Sequence, residues 1–398
     1  MEHAVKKDQF PLNELTIKLL KKLYLWNETP GQALSRVGCM LVALYPIVWL
    51  IPSWLFMVSS PDSLTQLLKA ANEQIVFFTI FFKLCFFVIN FRRWEGLFYA
   101  LQRAFTSVMH DPDIEIQAIL GHVDKSSHLL TKYYSSVLVF NCALYGTFPM
   151  LFVLVRYVLT GSYNVPLSTP IEANYFIPGY RTNFWIWLPL DVILNVLLEL
   201  HGVMLFLVEC FTWNMVHSTA CMFRVLQVQA NQLADHTRED QWGARMETFV
   251  TLHDAALRSA WELEEILSGQ MLFIYMSTIF ALCLGMTVLS IGFTDLYLMV
   301  STGCVFGYCL FQTFSFSYLG TELIEESGAV ADAIFHSKWH MQHVRKQKDL
   351  GFILMRAHKP VRLTTAKLFV VTRVSFTQVI KQAYTIFTLM SQFLDDTL

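Results

Sequence analysis

Three histidines, His336, His340 and His343, stand four and three residues apart. On a helix this spacing turns imidazoles to one face, an arrangement that can hold zinc. They read here as a solvated or interface face, and no metal site is expected. The eight cysteines sit mostly in apolar runs without C-x-x-C spacing, as small hydrophobes rather than redox or zinc ligands. The chain has no H-E-x-x-H, G-x-S-x-G or P-loop, so no catalytic residue, cofactor or enzyme activity is expected. The remaining residues that could do chemistry lie in the last apolar stretch. From Lys367 to Met390 an apolar stretch carries Thr372, Arg373, Ser375, Gln378, Lys381 and further polar side chains. Polar groups are expensive against lipid and turn to a bundle interior or to water. Ile380, Tyr384, Phe387 and Ser391 form a stripe at helical spacing, with Met390 beside it. The stripe suits either a pore lining or a packed bundle helix with no ion path. Asp395 and Asp396 follow; they suit an acidic mouth that concentrates cations or a merely soluble terminus.

The elements that must position these residues are membrane helices. Of 398 residues, 55% are hydrophobic and 15% charged, against about 25% charged in soluble domains. Cytosolic enzymes, disordered proteins and nucleic-acid binders are thereby set aside. Seven stretches are long enough to span a bilayer: 37–58, 73–91, 132–159, 185–214, 266–293, 295–319 and 367–393. Of the 29 Lys and Arg residues, 21 fall in the N-terminal segment and the even-numbered connections; the alternate connections hold only Lys69 and Arg181. The positive-inside rule then places the N-terminus in the cytosol and the C-terminus outside. The sequon Asn27-Glu28-Thr29 falls on the cytosolic side and should remain unglycosylated. No secretory signal is read in the first 32 residues. They form instead an amphipathic helix with Leu12, Leu15, Leu19, Leu23 and Trp26 on one face, docked on the protein or lying on lipid.

A helical pattern runs from Trp185 to about Leu233, far more than a bilayer needs, so its end must project into the cytosol. Met246, Phe249, Val250, His253, Leu257 and Trp261 make a second amphipathic face. Ile334, Phe335, Trp339, Leu350, Ile353 and Leu354 make a third, on one helical stretch 321–357. Such faces must pack on something, which implies a helical cytosolic subdomain and a subunit contact. Pro360 ends the third stretch, and Thr364 or Thr365 is placed to cap the final helix. Arg156 and Asp191 lie near the outer ends of adjacent spans and are expected to pair, unless Asp191 meets an ammonium ligand. The organisation expected is all-α: residues 1–36, an amphipathic helix; 37–319, six spans and their extensions (215–265); 320–366, a cytosolic anchor helix; 367–398, the last span and outer terminus.

The stretch Phe311–Met390 resembles the C-terminal region of insect odorant receptors. The resemblance rests on Gly320, Phe335 with Trp339, the basic patch Arg345–Lys348 and Arg356-Ala357-His358-Lys359-Pro360. Leu363-Thr364, Phe376-Thr377 and Tyr384 through Phe387-Thr388-Leu389 continue it. The family often has tyrosine at Phe335 and glycine near Ala366. The loop before the fifth span is shorter than in the shared co-receptor, so the chain resembles a ligand-specific tuning subunit. The resemblance implies an odorant-gated, non-selective cation channel in the plasma membrane of olfactory sensory neurons. It also implies a tetramer formed with the co-receptor and a last helix that lines the pore. A seven-span transporter and a G-protein-coupled-type receptor without channel activity are the alternatives. Odorant would bind in the outer half, among the second, third, fourth and sixth spans. The candidates there are Phe77, Phe78, Phe81 and Phe82; Tyr145, Gly146, Phe148 and Phe152; Leu194, Leu197 and Leu198; and Tyr297, Thr302 and Phe306. An apolar cage with a few hydroxyls suits a small neutral volatile.

Overall fold

The computed structural model describes residues 9–27, 29, 31–59, 63–160, 167, 169–236, 241–291 and 296–395. Lys6, Lys7, Glu28, Arg238 and Asp396 lie outside the described residues, as does the side chain of Asp395. Helix α1 (Glu14–Lys22) precedes α2 (Arg36–Val58), α3 (Leu64–Ile89) and α4 (Phe91–Val108). Three long helices follow, α5 (Ile114–Thr160), α6 (Phe184–His236) and α7 (Trp242–Ile291), and then α8 (Leu296–His336). A short α9 (Val344–Ala357) leads through two-residue strands β1 (Thr364–Thr365) and β2 (Phe369–Val370) into α10 (Arg373–Asp395). Among the described residues the fold is all-α apart from that hairpin.

Six helices among the described residues are long and apolar enough to cross a membrane: α2, α3, α5, α6, α7 and α8. Their outward faces are apolar too, with Ile47, Phe140, Val158 and Val196 each more than half exposed. In water such a surface would aggregate; in lipid it is solvated. Helix α10, at 23 residues about 34 Å long, is long enough to cross but more polar than these six. Helix α6 packs against α5 and α8, α3 against α7, and α10 against α7 and α8. Lys69, read from the sequence as a marker of a connection, lies inside α3 and is buried.

In α2 the prolines Pro46 and Pro52 each remove a backbone donor, and the helix widens to a π-turn over Pro46–Leu50 in which Ile51 N donates to the Pro46 carbonyl. The turn begins one residue after Tyr45 and includes Trp49, both fully buried. Helix α1 docks on the protein. Thr16 Oγ1 lies 2.7 Å from Thr131 Oγ1 of α5, Asn214 of α6 donates to Thr16, and Leu12, Leu20 and Trp26 are buried.

Two amphipathic faces differ from expectation. On α7 the buried stripe runs through Phe249, Leu252, Ala256, Ala260 and Leu263, whereas Val250 and Trp261 are exposed. The alanines have no bulk to stand off a neighbouring helix, so the packed face centres on them. The stretch 321–357 is two helices rather than one. Helix α8 ends at His336, a 3-10 turn covers Lys338–Met341, and α9 starts afresh at Val344. Ile334 and Leu350 are buried, and Phe335 is exposed.

The approach to α10 also departs from the sequence reading. Thr364 and Thr365 cap nothing; they form β1, paired antiparallel with β2 in the register Thr364↔Val370 and Thr365↔Phe369. The Glu264 carboxylate of α7 accepts from both the backbone N–H and the hydroxyl of Thr364, which holds the strand in place. The cap of α10 is Thr372. Its Oγ1 accepts from Ser375 N at 3.3 Å, while Ser375 Oγ accepts from Thr372 N at 2.8 Å, a reciprocal capping box. The turn between the strands holds Ala366 at φ +49° and Lys367 at φ +62°. Three residues join the strands, and the Leu368 N–H closes a tight turn on the Thr365 carbonyl at 2.9 Å, with positive φ at both central positions, which glycine adopts without steric cost. Ala366→Gly is therefore expected to stabilise the protein by up to about 1 kcal/mol. Thermal unfolding of the purified chain reads this; a lower midpoint than the parent's would refute it.

Candidate functional site

A cavity of about 70 Å³ lies among α2, α3, α5, α6 and α8. Tyr45 comes from α2, Phe77 and Ile80 from α3, Asn141, Cys142 and Tyr145 from α5. Helix α6 adds Leu198, His201 and Leu205, and α8 adds Cys304, Val305 and Tyr308. Gly202 lets α5 and α6 close over it, since a Cβ there would lie 2.9 Å from Cys142 Sγ.

The polar groups on the wall are nearly all engaged within the protein. Asn141 Nδ2 donates to the Cys304 carbonyl at 3.4 Å. The His201 ring accepts from Trp49 Nε1 at 3.3 Å and reaches the Leu41 carbonyl at 3.2 Å. Tyr145 OH donates to Glu73 at 2.9 Å and Tyr308 OH to Glu209 at 3.1 Å. Tyr45 differs: its hydroxyl is buried without a hydrogen-bond partner. A buried orphan hydroxyl costs about 1–3 kcal/mol, so it marks where an acceptor from outside the chain would gain most.

The hydroxyls of Tyr145 and Tyr308 each join a buried charge cluster. At the end carrying the 169–183 segment, Lys69 Nζ meets Tyr297 OH at 2.7 Å, Glu172 at 3.2 Å and Glu73 at 3.6 Å. Glu73 also accepts from the Glu172 backbone N–H at 2.9 Å, and Arg181 bonds Glu172 at 3.3 Å. These bonds clamp the 169–183 segment over the bundle. Burial pushes the Glu172 carboxyl up, but the Lys69 ammonium and Arg181 guanidinium outweigh it and hold the group below its ordinary value. At the opposite end Lys83 Nζ lies 2.5 Å from Glu209 Oε1 and 2.8 Å from Tyr308 OH, while Tyr134 OH donates to Glu209 Oε2 at 2.5 Å. On α3 the lining residues fall between Glu73 and Lys83, on α5 between Tyr134 and Tyr145, and on α8 between Tyr297 and Tyr308. On three helices, then, the apolar cavity is bracketed by two charge clusters.

The chain matches the family model described as 7tm Odorant receptor over residues 63–384. It belongs to the odorant receptor family of insects. Among its relatives are odorant receptor Or2 of Anopheles gambiae, 22% identical with 92% of this chain and 94% of that protein aligned, and odorant receptor 45a of Drosophila melanogaster, 24% identical with 78% and 80% aligned. The fold is that of the olfactory receptor OR5 from Machilis hrabei. The structure of OR5 in complex with eugenol superposes with a TM-score of 0.77 at 16% identity, covering 96% of this chain and 97% of the other. This is a family of membrane receptors and not of enzymes.

Of the receptor residues singled out from the sequence, Phe77, Tyr145 and Leu198 line the cavity. Phe81 stacks on Tyr45 at 6.0 Å, one layer behind the wall. Phe78 and Phe82 turn to Phe273 of α7, and Phe148 and Phe152 stack on each other. Gly146 is a close-approach point, where a Cβ would lie 2.8 Å from Leu198. Leu194 is buried and Leu197 partly buried in the core. Tyr297 holds Lys69, while Thr302 and Phe306 face Gly285 of α7. Tyr45, His201 and Tyr308 are functional candidates that the sequence reading passed over. The π-turn prolines of α2 were the one available signal for Tyr45.

Asp191 does not pair with Arg156. Its Oδ2 accepts from Asn195 at 3.0 Å, and the Arg156 guanidinium lies over the Phe152 ring. The three histidines do not share a face, because α8 breaks at Ser337. His336 bonds the Asp332 carbonyl, and His343 caps α9 by accepting from Arg345 N. On α10 the stripe Ile380, Tyr384, Phe387 and Ser391 is exposed or half-buried, opposite the buried Ser375, Val379 and Ala383. Met390 lies on the packed side, 3.4 Å from Cys283 Sγ of α7. Arg373 is drawn to α8, 3.4 Å from Glu325 and over the Tyr318 ring.

Proposed function

We propose that this odorant receptor is the ligand-specific tuning subunit of a ligand-gated, non-selective cation channel. It assembles with the co-receptor, as a tetramer, in the plasma membrane of olfactory sensory neurons. The N-terminus and the long helix extensions are cytosolic, with residues 320–366 in the anchor, and the 169–183 segment is outside. A small neutral volatile enters the apolar cavity, and α10 lines the pore with Ile380, Tyr384, Phe387 and Ser391. Phe77, Tyr145 and Leu198 contact the ligand.

The observation that carries this reading is an apolar cavity whose polar wall groups are engaged elsewhere, with Tyr45 OH left open. Such a wall selects by shape plus one hydrogen bond. Burying about 300 Å² of a volatile gains roughly 7–8 kcal/mol, and association costs several of these, which leaves micromolar to millimolar affinity. Ligand pockets usually measure about 300–1,000 Å³, well above the cavity's about 70 Å³. A ligand must therefore widen it, and so favours whichever state has the wider cavity. Gating needs only that difference.

Co-expression with a co-receptor should give inward current to oxygenated volatiles. Tyr45→Phe should raise the half-maximal concentration for an alcohol, ester or phenol by about 3–10-fold, the value of one hydrogen bond, and leave a hydrocarbon of the same shape unaffected. Silence across a broad volatile panel despite surface delivery would overturn the channel reading. An equal shift for both ligands would overturn the role of Tyr45.

A further inference from the structure

Away from the cavity, two imidazoles and a thiol converge between α5 and α6. His122 of α5 and His217 and Cys221 of α6 each bring one donor atom within 4.8 Å of the others. His217 and Cys221 stand four residues apart, on one helix face, and Cys221 Sγ lies 3.5 Å from His217 Nε2. A tetrahedral zinc ion with nitrogen at about 2.0 Å and sulfur at about 2.3 Å separates those two donors by about 3.5 Å. The pair already has a ligating separation. His122 lies across from them, its ring centroid 5.8 Å from that of His217. Its side chain is exposed, so the movement of about 1 Å that tetrahedral distances require meets little resistance.

The surroundings suit a cation. His217 Nδ1 lies 3.1 Å from Glu322, which fixes the ring and leaves Nε2 for the ligating position. A carboxylate behind a histidine is the usual outer partner of a metal-bound imidazole. The nearby Arg224 is bound by Glu322 and by Glu326, each at 2.8 Å, and the remaining cation beside the cluster, Lys125, is exposed. A cavity of about 540 Å³, lined by His122, His217, Arg224 and Glu322, gives access. His217 comes 33 residues after Phe184, about 50 Å along the helix against about 30 Å of hydrocarbon. On the orientation proposed above it stands in the cytosol, where Cys221 remains a thiol.

We propose that His122, His217 and Cys221 form a binding site for a zinc-class transition metal that ties the extension of α5 to that of α6. The ion takes two imidazole nitrogens and the Cys221 sulfur, whose proton leaves to solvent, and a water completes the tetrahedron. The site depends on the proposed orientation and on no part of the proposed channel activity, so it stands or falls separately from ligand gating. The sequence could not indicate it, because its ligands are split between two helices 95 residues apart at their nearest.

The test is cobalt titration of the full-length, reduced, chelator-stripped receptor, followed by zinc competition. One equivalent of cobalt should give a thiolate charge-transfer band that zinc removes. Cys221→Ser should abolish the band. His122→Ala, at an exposed position, should weaken zinc binding at least about 10-fold, and Glu322→Gln about 10–100-fold through the outer partner alone. His336→Ala should leave binding unchanged. If Cys221→Ser fails to fold, His122→Ala decides. No thiolate band at stoichiometric cobalt, or unchanged zinc affinity in His122→Ala, would mean that Cys221 and His217 share a hydrogen bond only, and the proposal would fail.

Discussion

Glu209→Gln is expected to cost about 3–5 kcal/mol, the loss incurred when one member of a buried ion pair is removed and the other stays. The Lys83 ammonium is 1% exposed and Glu209 is 2% exposed. With glutamine at 209, Lys83 keeps only neutral partners, the amide oxygen and Tyr308, and Tyr134 loses a charged acceptor. Folded domains hold only about 5–15 kcal/mol in total, so most of the variant should fail to reach the cell surface. A companion variant separates charge from packing. Lys83→Met with Glu209→Leu removes both charges, and replacing a buried pair by apolar groups is often neutral. The double variant should recover part of the loss, short of full recovery because the Tyr134 and Tyr308 hydroxyls lose their acceptor. Surface labelling and the thermal midpoint of detergent-solubilised receptor measure both. A single variant as stable as the parent, or a double variant no better than the single, would contradict the account of this cluster.

Gly320→Val should act through the opposite mechanism, overpacking. A Cβ at Gly320 would lie 3.0 Å from Val371 Cγ1 and 3.2 Å from the Val371 carbonyl carbon, and nearer still to its oxygen. The obstacle is backbone, and that backbone is tied down: Val371 N donates to the Leu363 carbonyl at 2.8 Å, and Arg373 N donates to Thr321 Oγ1 at 3.0 Å. Overpacking costs about 1–3 kcal/mol where neighbours can give, and at least the upper end is expected here. The displaced segment is the lead into α10, so evoked current should fall by more than surface delivery does. Current that falls only in proportion to delivery would show that the base of α10 tolerates the shift.

Gly320 shows how sequence and structure divide the information. Its place in the resemblance to odorant receptors was legible without coordinates, and so was the departure at Ala366. The reasons were not legible. Gly320 is required because α8 touches a backbone carbonyl 51 residues away. Position 366 favours glycine because it is a central residue of the tight turn between the strands and sits at positive φ. The cap of α10 was misplaced for a related reason. Thr364, Thr365 and Thr372 are equally plausible caps by residue type, and only the Glu264 carboxylate of α7, which holds Thr364 in a strand, distinguishes them.

For the cavity the limit was rotational. Helical period says which residues share a face, so Phe77 and Phe81, or Ile380 and Tyr384, group correctly from the sequence. It does not say which neighbour that face meets. Phe78 and Phe82 share a face too, and it meets Phe273 rather than the cavity. Thr302 and Phe306 were chosen where Cys304, Val305 and Tyr308 line the wall.

By itself the sequence determined the solvent and the helices, because hydrophobic length and the periodicity of apolar residues are local properties of the chain. The uneven placement of Lys and Arg supplied an expected orientation, and the polar stripe of α10 marked that helix as unlike the others. Tertiary structure decided which buried charges meet: Lys83 with Glu209, Lys69 with Glu172, and Asp191 with Asn195 rather than Arg156. It also decided that the cavity lies between two such clusters. Those pairings depend on how each helix is rotated and how deep it sits against partners far away in the chain. Ion pairs and hydrogen bonds form only within about 3–4 Å, a tolerance that no one-dimensional pattern specifies.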